Sequence, residues 1–142
     1  MVVCFVMCGI PGSGKTTLAN QLASEHSAKL ISFDNLPNAH NPKYAEDVRK
    51  QMWSDISENL RNGRSVVCDD VNTKLKWRQG IFSAIADISC KKVLVTMNTP
   101  LEECLYRNSK RKFRLPDFVI IHTHKNQEPP ILNEGWDEIL YY

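Results

Sequence analysis

The sequence predicts an α/β domain with an open, mostly parallel sheet and helices on both faces. Three observations carry this. Short apolar runs alternate with segments whose apolar residues recur every three or four positions, the pattern of repeated strand–helix units. The first run, Val2–Cys8, is continuously apolar and β-branched, as in a strand buried on both faces. The length of 142 residues, 42% hydrophobic and 24% charged, suits a single domain that buries about two-thirds of its unfolded surface without disulfide staples.

The elements follow in order. After Val2–Cys8, the segment Lys15–His26 places Leu18, Ala19, Leu22 and Ala23 on one helical face. Lys29–Phe33 is a second strand, and Asp34–Pro42, with two prolines and three asparagines, is turn-rich. Ala45, Val48, Met52, Ile56 and Leu60 mark the next helix, and Gly63 stands where a left-handed cap ends it. Ser65–Cys68 is a third strand running into Asp69 and Asp70; Asn72 or Thr73 is then expected to cap a helix that buries Trp77, Ile81, Ile85 and Ile88. Lys92–Met97 is a fourth strand. Thr99 as N-cap, Pro100 at the first helical position and Glu102 closing a capping box predict a helix carrying Leu101, Cys104 and Leu105 inward. A short helix over Pro116–Lys125, a break at Pro129–Pro130 and a last strand over Ile139–Tyr142 complete the chain.

Composition excludes some function classes. No apolar run approaches the roughly 20 residues of a membrane span, and Met1–Gly9 lacks the basic leader and cleavage site of a signal peptide. The expectation is a cytoplasmic protein with no membrane partner. The cysteines, Cys4, Cys8, Cys68, Cys90 and Cys104, are odd in number and form no Cys-x-x-Cys, so reduced thiols are expected. His122 and His124 alone do not make a zinc site. A net charge of +2 is too small to signal nucleic acid. Its distribution is uneven, however: Arg107, Lys110, Arg111, Lys112, Arg114 and Lys125 face a single acid, Asp117.

The chemistry begins at Gly9-Ile10-Pro11-Gly12-Ser13-Gly14-Lys15-Thr16, which fits the phosphate-binding P-loop, G-x-x-x-x-G-K-[ST], between an apolar strand and an amphipathic helix. Glycines let successive backbone N–H groups face one concavity, and the following helix adds its positive dipole end. Gly9, Pro11, Gly12, Ser13, Gly14, Lys15, Thr16 and Thr17 are therefore expected to bind a nucleoside triphosphate. Lys15 reaches its β- and γ-phosphates, and the Thr16 hydroxyl binds Mg²⁺.

In an open parallel sheet ligands collect beyond the carboxyl ends of the strands. Asp34 and Asp70 fall there. A carboxylate so placed can take the proton of an attacking hydroxyl; the alternative for Asp34 is a turn cap before Asn35 and Pro37. Of Asp69 and Asp70, one can support Mg²⁺ through water while the other caps the helix, and spacing leaves those roles open; Asp69 is carried as the metal candidate. Arg107 and Arg111 share a face if their helix continues that far. Positive charge around a transferring phosphoryl group is worth about 10³–10⁵ in rate, so the basic segment over about 107–125 reads as a helical lid over the γ-phosphate. The whole, residues 1–142, reads as a single-domain P-loop NTPase of kinase type.

These residues resemble the phage-type polynucleotide 5′-hydroxyl kinases, within the wider group of small P-loop kinases. The similarity rests on Cys8-Gly9-x-Pro11-Gly12-Ser13-Gly14-Lys15, on the aspartate after strand two, and on Val66-Val67-Cys68-Asp69-Asp70-Val71-Asn72 with Arg78 beyond. Arg107-Asn108-Ser109-Lys110-Arg111, then Leu115-Pro116, is its most specific part; Glu128-Pro129-Pro130, Glu134-Gly135-Trp136 and Ile139 resemble the wider group. The resemblance implies transfer of the γ-phosphate of ATP to the 5′-hydroxyl of DNA or RNA. It implies Asp34 as general base and Arg111 as the stabiliser of the transferring group, with Arg107 nearby. Asp70, Asn72 and Arg78 would belong to the acceptor site, where Lys43, Lys74 and Lys76 would add a positive channel. The arginine that the family places shortly after the catalytic aspartate is replaced by Pro37, near Asn38, and the phosphatase domain of many phage enzymes lies outside these 142 residues. A kinase acting on a small-molecule hydroxyl (nucleoside, sugar or nucleotide-sugar) is the alternative. A nucleotide-dependent switch is a further one, without the Asn-Lys-x-Asp of guanine-specific GTPases.

Overall fold

The computed structural model describes all residues, Met1–Tyr142. Strands β1 (Val3–Cys8), β2 (Lys29–Ser32), β3 (Val66–Asp69), β4 (Lys91–Thr96) and β5 (Glu138–Tyr141) form one sheet in the order β2-β3-β1-β4-β5, and every pairing is parallel. The helices are α1 (Lys15–Glu25), α2 (Ala45–Arg61), α3 (Leu75–Ile85), α4 (Leu101–Ser109) and α5 (Asp117–Lys125). None is long and apolar enough to cross a membrane.

Period-two alternation along β1 splits the core in two. Cys4, Val6 and Cys8 pack with Met52, Ile56 and Leu60 of α2 and Ile81 and Ile85 of α3. Phe5 and Met7 point the other way, against Ala19 and Leu22 of α1. A small third cluster joins Ile10 of the P-loop to Cys104 of α4 and Ile120 of α5. The first connection from β1 leads towards β2 and the later one from β3 leads to β4, so the chain reverses direction across the sheet at central β1. The crevice at such a switch point is where this class of sheet binds ligands.

Gly63 closes α2 as its position predicts. Its φ is 80°, and the Gly63 and Arg64 amides donate to Leu60 and Asn59 carbonyls at 3.0 Å each, the paired bonds of a Schellman motif. Two predicted caps are corrected. α3 starts at Leu75 after Lys74 with no side-chain cap, because Asn72 and Thr73 are both buried. α4 starts after Pro100, also without a side-chain cap, because the Thr99 hydroxyl donates instead to Ser13 O of the P-loop at 2.7 Å. α4 also ends at Ser109, short of Arg111. The fully buried Asn108 amide both donates to Leu115 O (2.8 Å) and accepts from Leu115 N (3.0 Å), which requires the chain to turn back. Trp77, expected in the core, is only half-buried.

Candidate active site

The P-loop leaves the end of β1 and wraps the first turn of α1. Gly12 and Gly14 have φ of 85° and 92°, a region costly for residues with a Cβ. A Cβ on Gly12 would lie 2.6 Å from the Cys104 carbonyl oxygen, so the loop is pressed against α4. Ser13 N–H donates to Ile10 O (3.2 Å), and Leu18 makes the first helical bond, to Gly14 O (3.2 Å). The amides of Gly12, Gly14, Lys15, Thr16 and Thr17 donate to no backbone or side-chain group. Several orphan donors thus cluster at a positive helix end, a cradle suited to phosphate oxygens.

The Thr16 hydroxyl donates to Asp69 Oδ2 at 2.9 Å, while Asp69 Oδ1 is buried without a partner. No group of three or more His, Cys, Asp or Glu forms a metal cage. One hydroxyl, one carboxylate and a neighbouring phosphate cradle are a hard-oxygen donor set that fits Mg²⁺, which takes few protein ligands and completes its shell with phosphate and water.

Two cavities meet over this loop. One, of about 600 Å³, brings together Lys15, Thr16, Asp34, Asp69, Asp70 and Arg111. The other, of about 620 Å³, spans Gly12–Thr17 with Met97, Thr99, Arg107 and Arg111. Arg111, although beyond the end of α4, lines both. Arg107 Nη2 pairs with Glu103 Oε1 at 2.7 Å on the exposed helix surface. Asp34 lies exposed in a short helical turn, Phe33–Asn35, directly after β2.

Two expected acceptor residues lie elsewhere. Arg78 is fully buried: its guanidinium grips Glu134 through two bonds of 2.9 Å and donates to Asn72 O and Glu128 O at 3.0 Å each. Asn72 is also fully buried, with φ 47°, and its amide donates to Met7 O at 2.9 Å. Both fasten the loop after β3 to β1 and to the C-terminal segment. The lysines expected to line a channel are outside the cavity: Lys74 sits 4.0 Å from Glu128, Lys43 is 5.5 Å from the Tyr44 ring, and Lys76 is 5.8 Å from the Trp77 ring.

Arg49 of α2 escapes the sequence reading. Its guanidinium carbon lies 4.2 Å from the Trp77 ring centroid and 5.3 Å from that of Phe33, and its Nε is 3.8 Å from Asp70 Oδ2. Burial raises the Asp70 pKa above the usual carboxylate value; Arg49 and a 2.8 Å bond from Val71 N–H oppose that rise. Arg49 stands beside the buried Val48 and four residues before Trp53, so its nearness to the sheet was present as helical spacing. Its partner Asp70 was not.

Comparison with known proteins places this geometry. The L-seryl-tRNA(Sec) kinase of Methanococcus maripaludis is 25% identical over 140 residues, covering 93% of this chain and 55% of that protein; the chain thus spans about half the relative's length. The crystal structure of Chaetomium thermophilum Kti12 with ADP-AlF3 superposes with a TM-score of 0.81 at 19% identity, covering 98% of this chain and 88% of the other. A sugar kinase from Janibacter sp. HTCC2649 gives 0.78 at 17% identity, with coverages of 99% and 86%. A fungal RNA kinase gives 0.68 at 18%, with coverages of 99% and 74%. At these identities the solved structures share the fold. The model of the AAA domain family AAA_33 matches residues 4–130, and across that span the chain belongs to this family of P-loop kinases.

Proposed function

We propose that the chain is an ATP-dependent polynucleotide kinase that phosphorylates the 5′-hydroxyl of DNA or RNA, as the phage-type enzymes do. The observation that carries this is one cavity in which the P-loop lysine, a strand-end carboxylate and a loop arginine converge: Lys15, Asp34 and Arg111. The P-loop amides and Lys15 hold the triphosphate, with its end towards the cavity. Mg²⁺, when bound between Thr16 and Asp69, would neutralise phosphate charge. Asp34 accepts the proton of the attacking hydroxyl as its oxygen bonds to the γ-phosphorus and the bond to the leaving ADP oxygen breaks. General-base help of this kind is worth about 10²–10⁴ in rate. Arg111, lining both cavities, offsets charge on the equatorial oxygens, and the basic segment from Arg107 acts as a lid. Asp70, held beside Arg49, orients the acceptor. The L-seryl-tRNA(Sec) kinase among its relatives acts on a hydroxyl carried by an RNA, and an RNA kinase is among its structural neighbours; both favour an RNA-bearing acceptor over a free small molecule.

The sugar kinase neighbour gives the second reading, a small-molecule hydroxyl as acceptor. Offering γ-labelled ATP with a 5′-hydroxyl oligonucleotide, its 5′-phosphorylated form, and a panel of nucleosides and sugars separates the two. Label is expected on the 5′-hydroxyl oligonucleotide alone. Label on a sugar or nucleoside but on no oligonucleotide overturns the polynucleotide reading.

A further inference from the structure

We propose that Phe113 is the surface on which the 5′-terminal base of the acceptor stacks, an inference that rests on the polynucleotide reading above. Phe113 is 84% exposed, more than any other large apolar side chain except Met1. Exposure alone would mean little, since single apolar residues are common on surfaces. Its setting gives it meaning. The ring sits inside the run Lys110-Arg111-Lys112-Phe113-Arg114, and Lys112 Nζ stands 5.5 Å from its centroid.

The loop that presents Phe113 is anchored rather than frayed. Asn108, fully buried, holds Leu115 by both its N–H and its carbonyl, so residues 109–114 form a closed excursion with fixed ends. Within this excursion Phe113 leans over one cavity only. Phe113 lines the cavity containing Asp34 and Asp70, whereas the cavity over the P-loop, with Arg107, does not include it. Arg111, two residues earlier, borders both. Phe113 therefore faces the cavity of Asp34 and Asp70, the acceptor side under that reading, and not the P-loop cavity.

A polynucleotide end brings together a flat π-face and a phosphodiester charge. An aromatic ring flanked by Lys112 and Arg114 answers both, as in proteins that bind single strands through stacking and a basic groove. The terminal base on Phe113 would bring the 5′-hydroxyl of its own nucleotide towards Asp34.

The test measures steady-state kinetics with a 5′-hydroxyl oligonucleotide and with the same strand carrying an abasic 5′-terminal residue. Phe113→Ala is expected to raise KM for the intact strand about tenfold, within the range that stacking allows, with no matching change in KM for ATP. Phe113→Tyr restores the wild-type KM. The abasic strand costs the wild type a similar factor and costs Phe113→Ala nothing further. Equal KM for intact and abasic strands in a wild type that turns over both overturns the stacking role and leaves the polynucleotide reading standing. Equal loss with the abasic strand in wild type and Phe113→Ala also overturns it, since the ring and base would then act independently. Failure of the wild type to label any oligonucleotide, with a small hydroxyl labelled instead, overturns both.

Discussion

Adjacent residues on an extended chain point to opposite sides, and this separates the two aspartates that spacing left equivalent. Asp69, the last residue of β3, turns to the Thr16 hydroxyl, while Asp70 turns to Arg49 and the Val71 amide. Their tasks under the kinase reading differ accordingly, one on the metal side and one on the acceptor side. Burial makes the ionised form of Asp70 costly in the folded chain. Asp70→Asn removes that charge and keeps an oxygen for Val71 N–H. We expect the Tm at pH 7 to stay unchanged or rise while kcat/KM for the acceptor falls, in paired melting and turnover measurements. A residue kept for packing alone would keep both, because asparagine fills the same space. Asp34 is exposed, so Asp34→Asn should leave the Tm alone and lower kcat by about 10²-fold or more if it is the base; a change confined to KM for ATP would remove it from that role.

At the scale of elements, periodicity finds the helix α3 but chooses its buried face only in part. α3 buries Arg78, Ile81 and Ile85, positions i, i+3 and i+7 of one face. Spacing alone chooses Trp77 with Ile81 and Ile85, an equally regular face, and the resemblance gives Arg78 an acceptor contact; the structure buries Arg78 and leaves Trp77 half-buried. What spacing could not supply was the partner, Glu134, 56 residues later. The capping box at Thr99 misled for a similar reason: its hydroxyl was claimed by Ser13, distant in sequence and adjacent only once the sheet forms. Local signals with local partners, such as Gly63, were legible. The Arg78–Glu134 pair, with side chains 1% and 8% exposed, makes a stability prediction. Burial would raise the Glu134 pKa, but the Arg78 guanidinium and the Trp136 indole outweigh it and hold the group below its ordinary value of 4.5. A lowered folded pKa means a contribution complete above the ordinary value and lost as pH falls through the folded one. Glu134→Gln, which strands a buried guanidinium, should cost about 3 kcal/mol at neutral pH. In urea titrations the gap to wild type should narrow progressively below pH 4.5.

Across the whole molecule, the strand–helix alternation and the glycine turn after β1 were enough to anticipate a parallel sheet with its ligand site at the strand ends. The uneven charge of the segment over about 107–125 anticipated that the same edge would be basic. The formal net charge is only +2, yet the segment from Arg107 to Lys125 carries six cations against one acid. Three of those cations, Arg111, Lys112 and Arg114, line the cavity of Asp34 and Asp70, and Lys110 belongs to the same loop. A strand whose end reaches Asp34 would pass this loop and release counterions. If Lys110, Lys112 and Arg114 each meet a phosphate while Arg111 serves the transferring group, the logarithm of affinity should fall with the logarithm of salt at a slope of about −2. That is a loss of about 20-fold between 50 and 200 mM salt. Lys112→Ala should flatten the slope by about 0.7, the share of one contact on a single strand. Filter binding of a 5′-hydroxyl oligonucleotide across that salt range, beside turnover of a nucleoside over the same range, measures both. A slope no steeper for the strand than for the nucleoside would reduce the basic run to a solvated surface, because only a polyanion carries the condensed ions whose release the slope counts.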